Sequence, residues 1–139
     1  MKAIIDTCII IDALQSRAPF STEAQNIFLE AANNSFEGYI TANATTDIYY
    51  LMHKYFNNND DTRKQLNKLL ELFNIADTTK QDCIDALNGN ISDYEDAVLH
   101  SIAVREKADC IVTRNVSDFK NSNIPIYTPA QFLQVLSTL

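Results

Sequence analysis

Apolar residues along this chain follow two alternating rhythms. Short unbroken runs suit buried strands, and longer stretches with apolar positions three and four apart suit helices. Lys2–Ile5 is short, apolar and isoleucine-rich, and reads as a fully buried strand that Asp6 ends. Ile9, Ile10 and Ile11 continue toward Leu14 as a short helix. Pro19 and Ser21-Thr22-Glu23 open a second helix, with Ala24, Ile27, Phe28 and Ala31 at helical spacing and Asn33-Asn34 at its end.

Gly38-Tyr39-Ile40 predicts a second strand, and a helix from Ala42 to Phe56 follows, with Ala44, Ile48, Leu51, Met52 and Tyr55 on one face. The polar run from Asn57 to Asp61 reads as a helix–helix turn. Leu66, Leu69, Leu70 and Phe73 mark the next helix, and Phe73 to Ala76 is a weak third strand. Thr79 to Leu87 is helical and ends near Gly89. Ser92 opens a long helix to about Lys107. Cys110 to Thr113 is a fourth buried strand, and Ile126-Tyr127 a short fifth before a helix that Pro129 begins. Strands alternating with helices predict one α/β domain over residues 1–139, with a central, mainly parallel five-stranded sheet flanked by helices.

Composition then narrows the function. The net charge is −7, the reverse of a protein that grips nucleic acid through a basic surface. If the substrate is RNA, bound divalent cations and a few local Lys or Arg residues must hold it. Three widely spaced cysteines, Cys8, Cys83 and Cys110, and two scattered histidines, His53 and His100, fit neither a disulfide framework nor a zinc site. Cys8 and Cys110 sit in apolar runs, where a reduced thiol is the default. Asp6 interrupts any signal-peptide core, and no apolar stretch approaches the roughly 20 residues of a membrane span. The expectation is a cytoplasmic protein that does not enter a membrane.

In open α/β sheets ligands gather beyond the carboxyl ends of the strands, where strand order reverses. Two strong strands end in polar side chains here, the first in Asp6 and the fourth in Thr113-Arg114-Asn115 with Asp118 beyond. If those strands are neighbours, Asp6 and Asn115 meet at one crevice. Two readings stand for Asp6, a helix cap or a site residue. Asp12 reads as structural, since it lies a turn or more past the strand end. Asp47 is either a first-turn aspartate favoured by the helix dipole or an isolated acid turned toward a site. Ser92 and Glu95 have capping-box spacing, which gives Glu95 a structural role. Asp93 and Asp96 share a helix face, and like charges there favour a nearby cation. Asp96, beside Ala97 and Val98, is the stronger candidate. Arg114 and Lys120 flank the second polar strand end and read as phosphate contacts or as plain surface charge. Arg17 and Lys54 are weaker versions of the same reading.

IIDTCIIIDAL, TDIYYLMHK, SDYEDAVLHSIA and IVTRNVSDF, in this order and spacing, resemble the PIN-domain family over almost the whole chain, and IPIYTPAQFL near the end is similar to one of its subgroups. The resemblance is to VapC-type toxins. It implies an acidic cluster that binds Mg²⁺ or Mn²⁺ and a ribonuclease that leaves 5′-phosphate and 3′-hydroxyl ends by in-line attack of water. Carried over by position, Asp6, Asp47, Asp96 and Asn115 are the catalytic set, with Asp6, Asp96, Asp93 and Asp118 as metal ligands and Thr113, Arg114 and Lys120 against the substrate. Asp47 stands where the family more often has glutamate, and Asn115 is neutral where it has an acid. Asp118 or Asp93 is left to supply the missing charge, or the ion binds more weakly. All-oxygen donors agree with Mg²⁺ or Mn²⁺ rather than zinc. The resemblance also implies an RNA substrate, a cognate antitoxin and a homodimer. The alternative is a degenerate domain that binds RNA or a partner without cleaving. Haloacid-dehalogenase phosphatases are disfavoured because Thr7 and Cys8 follow Asp6 where they carry D-x-D. Receiver domains are disfavoured because the segment near Ala76 and Asp77 does not supply their phospho-accepting acid.

Overall fold

The computed structural model describes all 139 residues and contains five strands and seven α-helices. In chain order these are β1 (Lys2–Ile5), α1 (Thr7–Leu14), α2 (Ser21–Ala32), β2 (Glu37–Thr41), α3 (Ala44–Phe56), α4 (Asn59–Leu72), β3 (Asn74–Ala76), α5 (Lys80–Asn88), α6 (Tyr94–Arg105), β4 (Cys110–Val112), β5 (Ile126–Tyr127) and α7 (Pro129–Ser137). The sheet order is β3-β2-β1-β4-β5 and every pair is parallel. The chain builds outward from β1 through β2 to β3, then returns to the other side of β1 with β4. The reversal of strand order therefore falls between β1 and β4, which places the crevice beside Asp6.

Alternation along the central strands feeds two cores. Ala3, Ile5, Cys110 and Val112 point into the larger, with α1, α2, α3 and Phe132 of α7. Ile4 and Ile111 point into the smaller, closed by Ala97, Val98 and Ile102 of α6 and by Ala86 of α5. Burial on both faces explains why these strands read as continuous apolar runs. Gly38 in β2 is held to glycine by packing: a Cβ there would meet the Phe73 ring at 2.6 Å.

Several boundaries differ from the pattern. The turn predicted over residues 57–61 is shorter, because Asn58 caps α4 by accepting from the Asp61 N–H and the helix begins at Asn59. Tyr55 is 56% exposed and leaves the apolar face of α3. A single 3₁₀ turn, Val116–Phe119, follows β4 unannounced, anchored by the buried Phe119 ring. The predicted Ser92–Glu95 capping box does not form. Asp93 is the N-cap of α6, its Oδ1 accepting from the Asp96 N–H at 3.0 Å, and the helix begins at Tyr94. No helix is long and apolar enough to cross a membrane.

Candidate active site

Asp6 stands where β1 stops and α1 starts. Its own N–H donates to Val112 O at 3.0 Å, extending the β1–β4 ladder by one bond. Its carboxylate serves both readings the sequence left open. Oδ1 accepts from the Thr7 N–H at 2.8 Å as a helix cap. Oδ2 accepts from the Thr113 hydroxyl at 2.8 Å and from the Cys8 thiol at 3.8 Å. Burial pushes Asp6 above the usual carboxylate range, opposed by the hydrogen bonds from Thr113, Thr7 and Cys8 and by the charge of Arg114. The same burial and the Asp6 charge push Cys8 up to about 11, so it stays a neutral thiol.

Asp6 shares a small pocket with Thr7, Thr41, Asn43, Glu95 and Asp96. Its volume of about 10 Å³ is room for roughly one water-sized sphere. Burial, and then the charges of Asp6, Asp93, Asp118 and Glu95, raise Asp96 from 3.8 to about 7. Glu95 is also raised, by burial first and then by Asp47, Asp6 and Asp93. Four acids from the end of β1, the α6 N-terminus and the 3₁₀ turn thus act on Asp96, with Asp47 of α3 acting on Glu95. Acids on distant segments are assembled by the sheet, and they repel one another.

The sequence candidates divide cleanly. Asp6 and Asp96 line the same pocket. Asp47 is exposed on the first turn of α3 and joins through its charge on Glu95. Asp93 caps α6, and Asp118 sits on the 3₁₀ turn; both face a shallow polar depression with Lys120. Asn115 is exposed, and its N–H donates to Thr113 Oγ1 at 3.0 Å. Thr113 is fully buried, so its place is behind Asp6 and not against a substrate. Arg114 is also drawn inward. Its Nε donates to Asp12 Oδ2 at 2.6 Å and its guanidinium lies 4.1 Å from the Phe20 ring centroid. Asp12 is 1% exposed, in keeping with its structural reading, and Arg17 also approaches it at 3.9 Å. Lys120 is left as the cation beside the acids. Lys54 lies in the last turn of α3, at the opposite end from Asp47.

Glu95 is the site residue that sequence reasoning missed. Its capping-box spacing supplied a sufficient role, yet the cap falls one position later than that box requires, at Asp93, which leaves Glu95 beside the charges of Asp47 and Asp6. The only signal was Asp93 itself, an equally good cap two residues before it. Thr41 and Asn43 were also missed, because small polar residues after a strand carry no distinctive pattern.

The donors suit a hard divalent cation, being carboxylate oxygens beside a carboxyl whose charge is suppressed by its neighbours. No three acidic, histidine or cysteine side chains stand close enough to form a closed cage. An ion held by one or two carboxylates and otherwise by water fits that arrangement, which is the manner of Mg²⁺.

A parallel α/β domain with acids converging at its switch point is the architecture of a nuclease-type PIN fold, and the family profile described as PIN domain matches residues 2–117. The chain belongs to the PIN-domain family, whose members are generally nucleases. Among solved structures, VapBC2 from Rickettsia felis bound to a DNA fragment from its promoter is 20% identical, with a TM-score of 0.67 over 92% of this chain and 98% of that one. A toxin–antitoxin complex from Klebsiella pneumoniae is 22% identical, with a TM-score of 0.66 over 91% and 97%. VapBC-1 from nontypeable Haemophilus influenzae is 16% identical, with a TM-score of 0.67 over 94% and 99%. At these identities the likeness is one of fold. No curated protein matches the chain.

Proposed function

We propose that this chain is a divalent-metal-dependent endoribonuclease of the VapC toxin type, with residues 1–139 as one PIN domain. The observation that carries the reading is the convergence of Asp6, Glu95 and Asp96 on one pocket the size of one small sphere, where burial first and then the charges of Asp6, Asp93, Asp118 and Glu95 raise Asp96 to about 7. Like charges held together after burial are costly, and a site that keeps them has a cationic ligand as its natural complement. Asp6 and Asp96 would hold Mg²⁺ or Mn²⁺, with Glu95, Asp93 and Asp118 adding negative charge around it. When bound, such an ion neutralises the acids, stabilises negative charge on a phosphodiester and eases deprotonation of water.

The chain's own residues do the positioning. Thr113 fixes the rotation of the Asp6 carboxyl, and Oδ1, with the Thr7 N–H as its one donor, keeps a lone pair to offer. Asp93 holds the first turn of α6, and so the direction of Asp96. Asp47 and Glu95 supply a second acidic edge that can orient water. Lys120 is placed to meet a backbone phosphate at the rim. An RNA substrate is supported by the family, and the net charge of −7 makes a bound cation the means of tolerating a polyanion. The solved neighbour that is a toxin–antitoxin complex supports a cognate antitoxin as partner; a homodimer and a cytoplasmic setting belong to the same reading by family resemblance alone.

RNA cleavage assayed with Mn²⁺, with EDTA and with Asp6→Asn tests this reading. Cleavage that needs Mn²⁺ and is lost in D6N is expected; cleavage that survives both chelator and substitution overturns it. The absence of a closed three-ligand set and the exposed, neutral Asn115 favour one second reading, a domain that binds RNA or a partner without cutting. That reading requires a folded protein whose melting temperature ignores Mn²⁺.

A further inference from the structure

A cavity of about 420 Å³ opens between α5, α6 and the segment after the 3₁₀ turn, and it shares no residue with the acidic pocket. The volume lies within the range of small-ligand sites, toward its lower end. Its charged members are engaged elsewhere: Arg105 with Asp82 at 2.9 Å, and Asp85 with the Gln81 amide at 2.8 Å. What remains is a neutral polar wall of His100, Ser101 and Asn123, facing apolar surface from Ala86, Ile91 and Val104. His100 Nε2 is buried and has no hydrogen-bond partner. Buried polar atoms are rarely left so. Burial also holds His100 below the ordinary imidazole value, opposed by its neighbour Asn123 as hydrogen-bond partner, so the ring is neutral, with one donor and one acceptor nitrogen that Asn123 cannot both satisfy.

The cavity is joined to the catalytic acids. Asn90 and Asn121 line both the cavity and the shallow depression that contains Asp93, Asp118 and Lys120. Asp93 and Asp118 are in turn two of the acids that raise Asp96. His100 lies one helical turn past Asp96 on α6, about 6 Å along the axis. A strand of phosphates crossing the acids past Lys120 would therefore carry a neighbouring nucleotide to the cavity mouth.

We infer that this cavity is a base subsite, in which His100 and Asn123 hydrogen-bond the edge of one unstacked nucleobase flanking the scissile phosphate while Ala86 and Val104 cover its face. The chemistry matches on each count: a nucleobase is flat, uncharged and edged with donors and acceptors, and single-stranded RNA presents it splayed out. A charged ligand would find no free counter-charge here. The inference rests on the nuclease reading above, and the experiment separates the two.

Imidazole and backbone NMR signals are followed on adding a short oligoribonucleotide, and again with the same oligonucleotide carrying one abasic residue next to the cleavage site. In parallel, wild type, His100→Ala and the surface variant Asn123→Ala cleave oligonucleotides that differ at that one base. The expected result is a shift of the His100 ring signals that the abasic residue abolishes, and a base preference that falls about two- to tenfold in each variant, the loss of one neutral hydrogen bond. Asn123→Ala keeps the test valid if His100→Ala fails to fold. Signals near Asp96 that move while His100 stays still, with an unchanged preference in both variants, overturn the subsite and leave the nuclease standing. No cleavage and no shift anywhere remove both. A change of oligomeric state in either variant, read by light scattering, overturns the subsite in favour of a seat for a second copy.

Discussion

The hydroxyl of Thr113 donates to the Asp6 carboxylate at 2.8 Å, joining the ends of two adjacent parallel strands that are 107 residues apart in the chain. One fully buried oxygen thereby sets the orientation of the Asp6 carboxylate, and it also accepts the Asn115 N–H that begins the following turn. Replacing Thr113 by valine keeps the shape and removes both bonds. Thermal melting is expected to show a loss of about 1–3 kcal/mol, the usual cost of leaving buried partners unsatisfied. Mn²⁺ titration is expected to show affinity about 10-fold weaker, as for other residues that support a metal ligand from behind. Thr113→Ser should restore both. An unchanged Mn²⁺ affinity in the valine variant would separate Thr113 from the site.

Asp96 gives a pH signature. Its carboxyl titrates near 4 when unfolded and at about 7 in the fold, so between these values the folded state holds a proton that the unfolded state has released. Stability of the metal-free protein must therefore fall as pH rises from about 4 to about 7, and level off above. Asp96→Asn removes this slope. Because the group is partly exposed and screened, the gain at pH 7.5 is expected to be about 1 kcal/mol, or roughly 3 °C in melting temperature. The same variant is expected to lose RNA cleavage by 100-fold or more. A variant more stable yet inactive is the pattern of a functional acid; one less stable at pH 7.5 would contradict it.

Metal should reverse that slope. At a Mn²⁺ concentration 100 times the dissociation constant, linkage adds about 2.7 kcal/mol to the folded state. Differential scanning fluorimetry with and without EDTA at pH 7.5 is expected to show the increase in wild type and its absence in Asp6→Asn.

Glu95 and Asp93 exchange the roles their spacing suggests. Asp93→Ala removes the cap of α6 and should cost about 1 kcal/mol. Glu95→Gln should leave stability level or slightly higher, since it relieves repulsion with Asp47 and Asp6, and should reduce kcat at least tenfold with little change in KM. Were Glu95 a capping residue after all, the stability loss would fall on Glu95→Gln instead.

Arg114 is tested by separating stability from binding. Its Nε and Asp12 form a pair whose acid is 1% exposed, so Arg114→Ala strands a buried charge and should cost about 3 kcal/mol. Arg114→Ala combined with Asp12→Ala should recover part of that loss. A single variant of normal stability with a raised KM would assign Arg114 to phosphate contact instead.

Much of this architecture can be read from one sequence because the forces that set it are local or periodic. Buried strands announce themselves as apolar runs, helices as spaced apolar positions, and the first and fourth strands end in the polar residues that a switch-point site requires. Asp6 and Asp96 are legible on related grounds: Asp6 ends an apolar strand with no base beside it in the sequence, and Asp96 enters an apolar helix on the same face as a like charge, Asp93. Four ordered segments, from IIDTCIIIDAL to IVTRNVSDF, were enough to identify the family.

Only the folded chain decides between side chains that satisfy the same local rule. Ser92 and Asp93 can each cap α6, and the choice between them turns Glu95 from a cap into a member of the acidic pocket. Thr113 and Arg114 look like neighbours at a rim, but alternation along β4 and its extension buries one behind Asp6 and pairs the other with Asp12. The physical reason is range. A hydrogen bond across 107 residues, or a repulsion summed over acids from three separate segments, has no periodicity in the chain and exists only once the sheet has brought its strand ends together.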